Sequence, residues 1–195
     1  MNLAPVLFLM VGLAGQVARE ATFESDLWPG ERLFPERLVA SCGEVGLRES
    51  PSERARVVRH VPVPKGYAIN FEQTRYVTLE AGSFQALSGI KVRGRVLGAI
   101  RYLSKDAYYR GGYATKEIEV AAGTTIDYLQ YRAEGSCFVR VQGDVIDAAM
   151  CPSHQEAFQM VKEPTVEKWA LAAVGDVIGW VNVDGTCVNV IAWRK

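Results

Sequence analysis

From Leu38 onward, short runs of alternating apolar and polar residues are separated by Gly, Pro and Asn/Asp clusters at intervals of about ten residues. Alternation of period two places successive side chains on opposite faces of an extended chain, so each run predicts a half-buried strand. Tyr67–Phe71, Tyr76–Leu79, Ile118–Val120, Ile126–Leu129 and Cys137–Val141 are such runs, and together they predict a mainly β protein. One stretch departs from the pattern. In His154–Val161 the apolar residues Ala157, Phe158 and Val161 fall at helical spacing, which predicts one short helix near 154–161. Ser153 followed by Glu156 is its capping signal, and Pro164 prevents its extension.

The N-terminus is different again. Leu3–Gly15 is apolar and carries no charge. It has the length of a secretory h-region and falls short of the roughly 20 residues a bilayer span requires. Residues 1–18 are therefore expected to be a cleaved signal peptide, with a buried helix or an uncleaved anchor as the alternative. Cleavage would leave no membrane insertion and a periplasmic or extracellular protein. Residues 19–37 mix charge, proline and isolated aromatics and read as an extended lead-in, with Trp28-Pro29-Gly30 as a turn. The remainder divides into a first β unit at 38–103 and a second at 104–195, which contains the short helix.

A weak internal repeat runs through this part. Ile90–Leu97, Val139–Ile146 and Val181–Val188 each place apolar alternation on both sides of a central glycine, the pattern of a tight hairpin. A second shared element, ending in Gly82, Gly123 and Gly175, occurs in the same three regions.

Val45-Gly46-Leu47-Arg48-Glu49-Ser50-Pro51-Ser52, then Val57-Val58, then Pro64-Lys65-Gly66-Tyr67-Ala68-Ile69, resembles the opening of bacterial SH3-like domains. Gly179-Trp180-Val181-Asn182-Val183 is similar to the strand near that family's end. The resemblance implies one or two small SH3-like barrels. It also implies an exported binding module aimed at a protein partner or at peptidoglycan-like cell-wall material.

The four cysteines, Cys42, Cys137, Cys151 and Cys187, are even in number, and an exported protein would oxidise them. Three connectivities are possible. A two-residue turn at Gly143-Asp144 would put position 137 opposite position 150, one residue from Cys151. That favours Cys137–Cys151, leaving Cys42 with Cys187.

Composition narrows the chemistry. With 22 Lys+Arg against 22 Asp+Glu the chain has no bulk field for nucleic acid. Only His60 and His154 are available as imidazole bases or ligands, and no nucleophile elbow, zinc helix, phosphate loop or dinucleotide fingerprint occurs. Cys151 and His154 give at most two metal ligands, where zinc takes three or four. Asp144 and Asp147 read as turn residues. The expectation is a non-catalytic protein with no cofactor and no metal.

Two stretches could form contact surfaces. Arg54, Arg56 and Arg59 mark a basic strand, more simply read as edge-strand charge that blocks aggregation. Tyr108, Tyr109, Arg110 and Tyr113 lie in a Tyr/Arg/Gly loop whose composition suits an adaptable contact surface, with burial of some of these tyrosines as the alternative. An inhibitor or immunity protein that plugs a secreted hydrolase is the second functional expectation.

Overall fold

The computed structural model describes residues 21–27 and 37–191. The expected signal peptide and the Trp28-Pro29-Gly30 turn lie outside the described residues. Five strands come first: β1 (Phe23–Ser25), β2 (Arg37–Ala40), β3 (Glu44–Arg48), β4 (Val57–Pro62) and the long β5 (Ala68–Glu80). Next are β6 (Gly82–Ala86), β7 (Ile90–Gly98), the short β8 (Tyr102–Leu103) and a helix, α1 (Lys105–Arg110). They are followed by β9 (Thr115–Val120), β10 (Thr125–Tyr131), β11 (Cys137–Val141), β12 (Asp144–Ala148) and β13 (Phe158–Lys162). β14 (Thr165–Val174), β15 (Val177–Asn182) and β16 (Val188–Ile191) complete the described chain. The protein is mainly β, as the alternation predicts.

The strands form two sheets. The first has the order β16-β2-β5-β14-β15-β3-β4, with β1 on β5 and β8 on β1; the second has the order β13-β6-β10-β11-β12-β7-β9. Neither is a closed barrel. Each instead buries one face against itself: edge and central strands of the second sheet share one core, in which Phe84, Val92, Val120, Val139, Ile146 and Phe158 meet. The first sheet does the same around Leu38, Leu47, Ile69, Ala172, Val181 and Val188.

The second sheet is drawn from residues 82–162 alone, between β5 and β14 of the first. Glu80 and Thr165 are paired neighbours, so the chain leaves and re-enters the first sheet at one point. The sheets thus part the chain at 82 and 162, not at 103: β7 and β9, on either side of that position, pair from Ile90↔Val120 to Arg95↔Thr115. A third core joins the two sheets. Phe23 and Leu27 of the lead-in meet Leu97, Leu129, Phe138 and Val145 there. Its polar groups are satisfied: Ser25 Oγ donates to Gln130 Oε1 (2.8 Å), Gln130 Nε2 to the Tyr76 carbonyl (2.9 Å), and Thr78 Oγ1 to the Leu129 carbonyl (2.9 Å).

The expected helix near 154–161 is a strand. β13 pairs with β6 through Phe158↔Ala86 and Met160↔Phe84, which uses backbone groups a helix would have turned inward. Only Phe158 reaches the core, whereas Val161 is 62% exposed, so the helical spacing marks no buried face. A single 3-10 turn at Pro152–His154 precedes the strand. The one α-helix among the described residues is α1, fifty residues earlier in a segment the alternation leaves as a loop.

Of the three repeat units, only Val139–Ile146 is a hairpin. Gln142 and Gly143 take positive φ (53° and 93°) and join β11 to β12. Ile90–Leu97 is one continuous strand, β7, and its Gly94 is needed because a Cβ there would run into the Asp147 carbonyl and come within 2.7 Å of Ile146 Cγ2. In Val181–Val188 the chain turns, but β16 then pairs with β2 instead of β15.

Candidate functional site

Helix α1 begins where Ser104 Oγ accepts a hydrogen bond from the Ala107 amide (3.1 Å), satisfying an amide that a helix start leaves open. Asp106 in its first turn and Arg110 in its last suit the helix dipole and lie 3.7 Å apart, one turn from each other. A six-residue helix does not persist on such terms alone. Tyr108 anchors it.

The Tyr108 side chain is buried, at 3% exposure, and its hydroxyl donates to Asp147 Oδ2 (3.0 Å). Arg132 Nη1 donates to that hydroxyl (2.6 Å), while Arg95 donates through Nε (3.0 Å) and Nη2 (2.6 Å) to the same carboxylate oxygen. Arg95 also lies over the Tyr108 ring, 4.1 Å from its centre. Burial, and then the Asp147 charge, push the Tyr108 hydroxyl well above the ordinary tyrosine range, so it stays a proton donor. Asp147, read from sequence as a turn residue, is instead a strand residue on β12 opposite Arg95 and the centre of this network.

The four residues of the Tyr/Arg loop therefore separate into two layers. Tyr108 faces inward, and Tyr113 is half-buried against the core between the sheets. Tyr109 is 61% exposed and packs edge-on against the Tyr108 ring at 5.0 Å, and the Arg110 side chain stands in solvent beside it. Tyr108 as a contact residue is thus corrected to an anchor.

A second network lies on the preceding β8 and ties four strands of the first sheet together. Arg75 donates to Asp26 Oδ1 (2.8 Å) and Glu24 Oε2 (2.9 Å). The Tyr102 hydroxyl donates to Asp26 Oδ2 (2.6 Å), and the Arg75 guanidinium sits 4.4 Å from the Tyr102 ring centre and 5.6 Å from that of Trp180. Burial, with the hydrogen bond to Asp26, pushes Tyr102 up to about 12. Burial alone would lower Arg75, but its hydrogen bond to Glu24 and the Asp26 charge reverse this and raise it. Sequence reading missed both networks, since their members are far apart in the chain. The signal for α1 was present as Ser104-Lys105-Asp106 followed by Arg110-Gly111, a cap, an acidic start and a basic end.

The other candidates fall elsewhere. Of the expected basic strand only Arg59 lies on β4, an edge strand, near Asp176 (3.8 Å); Arg54 and Arg56 fall in the turn before it, where Arg56 pairs with Glu49 (3.1 Å). His60 lies 3.5 Å from Glu44 on the same exposed strand, and His154 is exposed. Among the described residues no three His, Cys, Asp or Glu side chains are gathered as a metal site would need.

Both favoured disulfides are present, Cys42–Cys187 and Cys137–Cys151. The register behind the second differs by two residues: the turn is Gln142-Gly143, so Cys137 faces Ala148, and the chain curls back after β12 to bring Cys151 within 5.1 Å, Cα to Cα. Two such bridges fit an oxidising, extracellular environment. No helix of the described residues is long and apolar enough to cross a membrane.

Fold and site together define a two-sheet, disulfide-stapled β protein that displays a short, firmly anchored Tyr/Arg helix. No protein-family model, curated protein or solved structure matches the chain.

Proposed function

We propose that the protein is an exported, non-catalytic binding module that recognises a protein partner or a peptidoglycan-like cell-wall component through the outer side of α1. The observation that carries this reading is the two-layer construction of that segment. Tyr109 and Arg110 stand in solvent, while Tyr108 is fixed beneath them by Asp147, Arg95 and Arg132. A contact surface already held in place loses less conformational entropy on binding, and Tyr and Arg are both enriched where binding energy concentrates. Disulfides support export, with the signal peptide at 1–18 as its route.

The SH3-like resemblance has a specific location. Every segment that carries it (45–52, 57–58, 64–69 and 179–183) falls within or between strands of the first sheet, and none in residues 82–162. We read the first sheet as an opened SH3-like unit and the second as an insertion within it.

The test is co-sedimentation with purified cell-wall sacculi together with capture from envelope extracts, comparing wild type with Tyr109→Ala/Arg110→Ala. Binding is expected to fall at least about tenfold in the variant, the scale of losing one central aromatic or arginine contact. Unchanged binding would remove α1 from the contact surface. The alternative, an inhibitor or immunity protein for a secreted hydrolase, predicts instead a stoichiometric complex with one enzyme and none with sacculi.

A further inference from the structure

Among the described residues, a cleft of about 810 Å³ is walled by β5, β14, the β15–β16 connection and β16 of the first sheet, and by Tyr131 of the second. Tyr76 and Lys168 are paired neighbours on β5 and β14, so their side chains stand on one face of the first sheet. Thr78, two residues along, shares that face and donates to the Leu129 carbonyl of the second sheet. The cleft is therefore a gap between the sheets. Its volume falls in the ordinary range for small-ligand sites, which favour such junctions.

One wall is held in place by its own hydrogen bonds. Asn182 Oδ1 accepts from the Asp184 amide (2.9 Å), and the Asp184 carboxylate accepts from the Lys168 amide and ammonium (3.1 Å each). This ion pair cancels its own charge, and among the described residues no other charged side chain lines the cleft.

The tyrosine hydroxyls are the groups the fold does not use. Tyr76 is 7% exposed, yet among the described residues its hydroxyl and that of Tyr131 make no hydrogen bond. Neither hydroxyl is sealed off from the cleft, because the one fully buried side-chain polar atom without a partner among the described residues is Arg132 Nε. Burial, and then the neighbouring Tyr128 and Asp184, push Tyr76 up to about 12, so its hydroxyl keeps its proton and can donate. Tyr102 and Tyr108 show the contrast, since both their hydroxyls are engaged. The chemistry of an occupant follows from these groups. A charged ligand would find no net charge to meet, and an apolar one would leave two phenols, Asn189 and the Lys168–Asp184 pair cut off from water. A saccharide meets all of them: its hydroxyls donate and accept side by side, while its C–H faces pack on tyrosine rings.

We propose that the cleft binds a neutral saccharide, gripped through the hydroxyls of Tyr76 and Tyr131, the Asn189 side chain and the Asp184 carboxylate. The site shares no residue with α1, so it extends the binding reading without depending on it.

The probes are the neutral trisaccharides maltotriose, cellotriose and triacetylchitotriose, each added to the disulfide-intact protein and followed by two-dimensional NMR. At least one is expected to shift the amides of Asp184, Gly185 and Asn189 and the ring signals of Tyr76 and Tyr131. Tyr76→Phe/Tyr131→Phe is expected to bind that sugar at least about tenfold more weakly, the combined scale of two hydroxyl contacts. The same variant is expected to unfold at the wild-type temperature, because neither hydroxyl is bonded to a described residue. Hydroxyls that served only the fold would give the reverse pattern, lower stability with unchanged binding. Tyr109→Ala/Arg110→Ala is expected to bind the sugar as wild type does, which separates the cleft from the α1 surface. No shift with any of the trisaccharides would overturn the proposal, as would equal affinity for the double phenylalanine variant. So would trialanine shifting these signals where no sugar does, which would make the cleft a peptide site. Signals that move on dilution of the protein without sugar, and not with sugar, would make it a contact between two copies and overturn the proposal as well.

Discussion

The two sheets use the same chemistry to different ends. The second is local: it is complete within residues 82–162, and its disulfide, Cys137–Cys151, spans 14 residues and is fully buried in the core. The first is assembled from both sides of that unit, and its disulfide, Cys42–Cys187, spans 145 residues and lies half-exposed between two loops. The contrast teaches where a staple matters. A sheet whose strands adjoin in sequence closes cheaply, whereas one whose strands are separated by a whole inserted unit must order long stretches of chain first. The longer link offsets more of that cost.

Removing each bridge separately gives the widest separation between the two. For loops spanning 145 and 14 residues, the chain-entropy relation gives about 5 kcal/mol and about 3 kcal/mol respectively. Denaturant unfolding of Cys42→Ala/Cys187→Ala is thus expected to show the larger loss. Reduction gives the same order for a different reason. Dithiothreitol followed by alkylation and mass spectrometry is expected to label Cys42 and Cys187 first, with Cys137 and Cys151 protected until the protein unfolds. Equal labelling would erase the distinction.

Packing at the glycines comes next. A Cβ on Gly94 in the second sheet would collide with the Asp147 backbone, while one on Gly179 in the first would meet Leu47 Cβ at 2.9 Å and the Arg48 carbonyl at 3.0 Å. Gly94→Ala is expected to cost about 3 kcal/mol and Gly179→Ala about 1 kcal/mol, the range of overpacked sites. The same unfolding curves would report a reversed order.

The smallest effect is on pH. Burial pushes Tyr76 and Tyr102 of the first sheet and Tyr128 of the second each up to about 12. Unfolded tyrosine ionises near about 10. The unfolded chain therefore releases its protons first, so this stabilisation is whole below pH 10 and is lost as pH rises from about 10 to about 12. Absorbance titration of phenolate is expected to show tyrosines ionising near pH 12 when folded and near pH 10 in denaturant.

Much of this architecture was legible in the alternation, because a half-buried strand needs period two whatever its partners are. Cys137–Val141 and Ile126–Leu129 lie in β11 and β10 as the pattern requires, and Tyr67–Phe71 with Tyr76–Leu79 merge into one strand, β5. Partner choice was not legible. Val181–Val188 has the pattern of a hairpin, yet its second half pairs with β2 from the far end of the chain, where Cys187 is tied to Cys42. Phe158–Lys162 was misread because buried Phe158 and exposed Val161 at helical spacing imitate a helical face in sequence, and pairing with β6 overrides it. At the candidate site, composition picked out Tyr108, Tyr109, Arg110 and Tyr113 together as a contact surface, with burial of some of these tyrosines as the alternative. Which tyrosine faced inward depended on Asp147, Arg95 and Arg132, and only the folded second sheet brings these beside α1.

The central claim is that α1 is a contact surface held from below. Its most direct test is binding to sacculi and to a captured envelope partner, measured side by side for wild type and for Tyr109→Ala/Arg110→Ala. The variant is expected to unfold within about 0.5 kcal/mol of wild type, as exposed substitutions do, and to lose binding at least about tenfold. Equal affinity at equal stability would contradict the claim.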